Sequence, residues 1–189
     1  MNATIASAIL GFSLAGGIPQ EKPASQEKPS SHDMSSCPMH EPHKAAAQDT
    51  QLQGVIDRGD HVMGFSHDKA THHFLLYPDG GAIDVQANRP EDAATQDAIR
   101  SHFTHIVNRF AEGDFSTPML IHSQNPPGTE TMTKLREQIQ YRVESTASGA
   151  PRIRIRTKNA EALLAVHTFL RFQIKDHQTS DSTEVAPAP

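Results

Sequence analysis

Residues 72–87 read HHFLLYPDGGAIDVQA, and this stretch decides the fold. His73, Leu75 and Tyr77 alternate with His72, Phe74 and Leu76. Pro78-Asp79-Gly80-Gly81 is a strong turn signal, after which Ile83 and Val85 alternate again. A period of two on both sides of a Pro/Gly turn predicts a β-hairpin. Successive strand side chains point to opposite faces, so His72 and His73 cannot share one. Both faces are apolar enough that periodicity leaves open which of the two is buried.

The pattern changes downstream. Pro90-Glu91-Asp92 opens a helix, with Pro and acids where the helix dipole favours them. Ile99, Phe103, Ile106, Val107 and Phe110 form its apolar stripe, and Gly113 ends it. A Pro-rich connection occupies 114–128, and a short helix is expected over 129–137. Ile139, Tyr141 and Val143, a turn at Ser148-Gly149, then Ile153 and Ile155 predict a second hairpin. Asn159 caps a last helix whose stripe is Leu163, His167, Leu170 and Ile174. The order is therefore ββαββα with a short extra helix. One apolar face per strand and per helix predicts an α+β domain. Its form is a four-stranded antiparallel sheet from two hairpin-plus-helix units, with the helices packed on one face.

The hydrophobic fraction of 36% is low for a chain that is globular throughout, and polar ends account for it. Residues 53–179 are expected to form the single domain. Residues 18–52 hold almost no large apolar side chain, and such a segment cannot offset its ordering entropy. They read as a flexible tether, and 180–189 as a disordered tail. Residues 4–17, TIASAILGFSLAGG, resemble the apolar region and cleavage site of a signal peptide, so 1–17 is expected to direct export. The stretch is too short and too Gly-rich to span a membrane stably. No Lys or Arg precedes it, which fits either an atypical signal or a true start further upstream. The expected location is periplasmic or secreted.

Net charge is −5, so a broad nucleic-acid surface is not indicated. Arg152, Arg154 and Arg156 share one strand face, but without aromatic interleaving. A solvated face with cross-strand partners such as Glu144 explains them more simply than an anion site. The single cysteine excludes an intramolecular disulfide and covalent c-type haem attachment. No P-loop, dinucleotide or nucleophile-elbow motif occurs, so no catalytic residue is named. An enzyme reading survives only as metal-dependent chemistry.

The chain is rich in metal-binding side chains, with 12 histidines and 6 methionines. Cys37, Met39 and His40 fall within four residues, flanked by His32, Met34 and His43. Soft sulfur ligands favour Cu(I), and imidazole suits copper and zinc. The spacing is too close for a structural zinc site, which needs a second ligand pair further along. A segment without fixed structure suits capture and transfer of a metal ion, with another metal-transport protein as the receiving partner. The bland alternative is a linker in which these residues cluster by chance.

Cys37-Pro38-Met39-His40 resembles the core of the short heavy-metal-binding segment of copper-efflux ATPases and related exported metal-resistance proteins. Their pattern continues with Pro, whereas here Glu41 follows and Pro42 comes one residue later. The resemblance implies copper binding at this segment and covers about five residues. The whole chain, with GFSHDKATHHF at 64–74, also resembles a group of exported bacterial proteins, which implies export and a single domain.

A second set of candidate metal ligands lies in the domain: Met63, His67, His72, His73, His102, His105, His122 and His167. His102 and His105 are neighbours on a helix surface, with His102 bordering the apolar stripe and His105 pointing away. A solvated face explains such a pair equally well. His167 lies in line with the last stripe, where a buried neutral histidine holding a hydrogen bond is the plain expectation. Convergence of several of these residues would make a rigid site for copper, zinc or non-covalent haem. Their independence is the alternative.

Overall fold

The computed structural model describes the backbone of residues 40–187 and the side chains from 47 onward. Helix α1 spans His40–Met63, and a 3-10 turn at His67–Lys69 leads into the first hairpin, β1 (Ala70–Tyr77) and β2 (Gly80–Ala87). Helices α2 (Ala93–Ala111), α3 (Ser116–His122) and α4 (Thr129–Lys134) follow. The second hairpin, β3 (Ile139–Ser145) and β4 (Pro151–Thr157), precedes α5 (Ala160–Asp176).

All strand pairs are antiparallel, in the order β1-β2-β4-β3. The two hairpins thus meet through their second strands, β2 and β4. Register places His72, Phe74 and Leu76 of β1 on the same face as Val85, Ile83, Ile153 and Ile155. On that face the sheet joins one core with Ile99, Phe103, Ile106 and Phe110 of α2 and Val166, Phe169, Leu170 and Ile174 of α5. Asn159 caps α5 as the sequence indicates, whereas α2 starts at Ala93, so Asp92 is its cap rather than part of its first turn. Asp92 accepts the Thr95 N–H at 3.0 Å, and Asn159 accepts the Ala162 N–H at 2.9 Å. Close approach of α5 depends on Gly81, where a Cβ would fall 2.3 Å from Leu170 Cδ1.

The domain is larger at both ends than composition indicated. The tether was expected to run to residue 52, yet α1 begins at His40. Its Val55 is buried, and Arg58 Nε donates to the Ile121 carbonyl at 2.7 Å. Lys, Ala and Gln at 44–48 are good helix formers, so this stretch needs few apolar side chains to be helical. A disordered tail was expected from 180, but residues 181–186 dock on the open edge of β1. Asp181 accepts the Phe74 N–H at 2.9 Å, the Ala186 N–H donates to the Leu76 carbonyl at 2.9 Å, and Arg171 Nε donates to the Thr183 carbonyl at 3.0 Å. Backbone pairing at a strand edge needs no apolar side chain, so composition does not reveal it.

The other sheet face carries the arginines. Arg152 grips Asp84 through two bonds of 2.6 and 2.7 Å, and Arg156 meets Glu144 at 3.0 Å. Arg154 is buried, pairs with Asp79 and lies 4.8 Å from the centroid of the Tyr77 ring. These guanidiniums are matched by carboxylates, in keeping with a cross-paired face rather than an anion site, but the face is not solvated throughout, because Arg154 is buried.

Candidate functional site: a histidine-lined cavity

Beneath the end of α1 lies a cavity of about 70 Å³. Five elements line it with Met63 from the end of α1, His72 from β1, His102 from α2, Thr117 and His122 from α3, and Gln173 and His177 from the end of α5. Aromatic and aliphatic side chains, among them Phe74, Ile106, Phe110 and Phe169, make up the rest. The strand register resolves the ambiguity at the paired histidines. His72 faces the core, and His73 faces the other side, where Nδ1 bonds Asp181 at 2.9 Å.

Not all of these histidines are equally available. His122 has both nitrogens engaged, Nδ1 with Asp176 Oδ2 at 2.5 Å and Nε2 with Gln173 Oε1 at 2.8 Å. The carboxylate only accepts, so Nδ1 carries a proton. By contrast, His72, His102 and His177 make ring contacts but no hydrogen bond to any described residue. The His72 and His177 rings stack with centroids 5.7 Å apart and planes 15° from parallel. His177 also meets His122 edge-on at 5.0 Å.

Burial holds these three imidazoles neutral. The His72 pKa is pushed down to about 4 by burial, with His102 and His73 adding to the effect. Burial and then His105 lower His102 to about 4. Burial, His72 and His122 lower His177 to about 3. Neutral imidazole is the form that binds a metal.

A second, outer groove of about 410 Å³ touches the same two stacked rings. Leu52 and Ile56 of α1 form one wall, and Gln178, Thr179 and Ser180 of the docked tail form another. His72 and His177 therefore stand between this groove and the inner cavity.

The remaining candidates disperse. His67 Nδ1 meets Asp60 at 3.1 Å, and Nε2 meets Asp68 at 3.1 Å. His105 is exposed. His167 Nε2 donates to the carbonyls of Tyr77 and Gly80, both at 2.9 Å, and so closes the first hairpin onto α5. Cys37, Met39, Met34 and His32 lie outside the described residues, as do the expected signal peptide and most of the expected tether. His40 and His43 lie one turn apart on α1, with their side chains outside the described residues. His177 is the site residue that sequence reasoning missed. The stripe Leu163, His167, Leu170, Ile174 reaches it with one more step of three.

Among the described residues, no three His, Cys, Asp or Glu side chains are arranged to hold an ion. This cavity is also far below the roughly 300–1,000 Å³ typical of small-molecule and cofactor pockets, so haem does not fit it. No described helix is long and apolar enough to cross a membrane. Comparison of the chain with protein-family models, curated proteins and solved structures finds no match. What stands is an α+β domain with a four-stranded antiparallel sheet and a half-buried cluster of histidines.

Proposed function

We propose that this chain handles copper outside the cytoplasm, capturing it at Cys37, Met39 and His40 and buffering it or passing it to another metal-transport protein. One observation carries the proposal: a thiol, a thioether and an imidazole fall within the four residues Cys37-Pro38-Met39-His40. Soft donors in this combination favour Cu(I). His32, Met34 and His43 supply further ligands nearby. The apolar stretch at 4–17 supports placement in the periplasm or outside the cell.

The test is an anaerobic competition for Cu(I) between the full chain and a chromophoric chelator. A Cys37→Ala/Met39→Ala/His40→Ala variant is expected to lose at least tenfold in affinity at this site. Affinity and stoichiometry equal to those of the parent chain would rule the segment out. Cell fractionation checks the location, and intact, uncleaved chain in the cytosol would defeat that part of the proposal.

A further inference from the structure

We infer that the docked tail is an exchangeable edge strand: hinged at Gln178, residues 179–186 leave β1 of their own chain and dock on β1 of a second copy, giving a tail-swapped dimer. The inference is independent of the copper reading and uses none of its residues.

The sheet edge supplies the docking chemistry. The Phe74 N–H and the Leu76 carbonyl bond the tail rather than β2. In an antiparallel pair inward and outward residues alternate, so the outward groups of β1 belong to His72, Phe74 and Leu76. Among the described residues the tail bonds two of these groups, one through the Asp181 carboxylate and one through the Ala186 N–H. An edge of this kind is a template for pairing with another chain. The tail of a second copy brings the same Asp181, Thr183 and Ala186 to His73, Phe74, Arg171 and Leu76, so exchange loses none of these bonds.

Little apolar surface holds the tail in place. Residues 182–187 are exposed, Val185 among them. Attachment rests on polar bonds, and segments attached in this way open at low free energy.

The hinge carries two local costs in the closed form. Helix α5 ends in a Schellman turn, in which the Gln178 N–H donates to the Lys175 carbonyl at 3.3 Å and the Thr179 N–H to the Ile174 carbonyl at 3.1 Å. The left-handed position of this turn is ordinarily glycine, and here it is Gln178, with φ 51°. Beside it, Thr179 Oγ1 is buried with no hydrogen-bond partner among the described residues. Swinging the tail out returns Gln178 to an ordinary backbone conformation and brings the Thr179 hydroxyl to water. Opening gives up the Schellman bonds and a 3.4 Å contact from Gln178 Nε2 to the Gln48 carbonyl. The hinge is the one part whose conformation differs between closed monomer and swapped dimer, so its strain favours exchange.

The experiment measures self-association of full-length proteins by sedimentation equilibrium, under reductant so that Cys37 forms no disulfide. Concentrations run from about 10 µM to about 1 mM, reaching the effective concentration of a short tether. The parent is expected to dimerise within this range. Gln178→Gly removes the strain and Thr179→Val removes the orphan hydroxyl. Each should weaken the dimer by roughly tenfold or more, because each acts at two hinges. Gln178→Val sharpens the strain and should strengthen the dimer by about the same factor. In dimers mixed from ¹⁵N-labelled and ¹³C-labelled chains, the Phe74 amide of one chain should contact Asp181 of the other. If the parent and Gln178→Val both stay monomeric, the exchange is overturned. A dimer whose Phe74–Asp181 contact lies within each chain overturns it too, since another surface then holds the pair. Circular dichroism checks folding. Should Gln178→Val not fold, a monomeric parent, or a Gln178→Gly dimer as strong as the parent's, overturns the proposal.

Discussion

The carboxylate of Asp181 is shared between the His73 ring and the backbone of the next residue, taking Nδ1 at 2.9 Å with one oxygen and the Phe74 N–H at 2.9 Å with the other. One side chain thereby anchors the chain's last described segment to the edge of the sheet. That edge strand also carries His72, one residue away on the opposite face. The docked tail and the histidine cavity are thus built on the same three residues of β1.

Replacing Asp181 tests the anchor. Asp181→Ala removes an acceptor from a largely buried backbone N–H, a loss of about 2 kcal/mol. Hydrogen exchange at Phe74 should accelerate while exchange at Ile153, in the sheet centre, stays as in the parent. Unchanged protection at Phe74 would show that the tail does not hold this edge in solution.

His167 is expected to matter for stability and not for metal. Its single N–H serves two carbonyls, those of Tyr77 and Gly80, in a buried setting. His167→Ala leaves both without that donor and opens a void, at a cost of about 3 kcal/mol by chemical denaturation. Copper stoichiometry should not change. A variant as stable as the parent would remove His167 from the account of how the hairpin closes.

Acid should weaken the fold through the cavity histidines. Their folded-state pKa values, about 4 for His72 and His102 and about 3 for His177, lie below the ordinary 6.5. Between pH 6.5 and 4 the unfolded chain therefore binds more protons than the folded one, and stability falls as pH falls through that window. Each neutral buried ring contributes on the order of 2–3 kcal/mol to the loss by pH 4.5. Guanidinium unfolding at pH 7.5 and 4.5 measures it, and His72→Phe/His177→Phe should flatten the dependence. Equal slopes in parent and variant would mean that other groups govern the acid response.

Gly81→Ala should be poorly tolerated. The added Cβ would lie 2.3 Å from Leu170 Cδ1 and 2.5 Å from the Leu75 carbonyl oxygen. A leucine tip can turn aside, but backbone oxygen cannot without shifting β1. Overpacking of this kind costs about 1–3 kcal/mol, seen as a lower denaturation midpoint. A stability within error of the parent would show that β1 gives way more easily than the paired sheet suggests.

Local pattern made much of this architecture legible. Strand alternation around Pro78-Asp79 and around Ser148-Gly149 marked both hairpins, and the stripes of Ile99–Phe110 and Leu163–Ile174 marked α2 and α5. Asn159 was readable as a cap because a side-chain oxygen at that position answers a need of the helix itself. Helix α1 was missed because its early turns rest on helix propensity rather than on an apolar stripe, and α3 because it lies inside the Pro-rich stretch 114–128. The docked tail was missed because its bonds are made by backbone and by one aspartate.

The sequence by itself determined both hairpins, helices α2 and α5, and the clustering of Cys, Met and His at 37–40, since each is written in residues close together along the chain. Only the tertiary structure decided the strand order β1-β2-β4-β3, the inward turn of His72 rather than His73, and the meeting of Met63, His72, His102, His122 and His177. The reason is physical: a side chain's burial and partners belong to the surface packed against it, and here that surface is supplied by five elements distant in sequence.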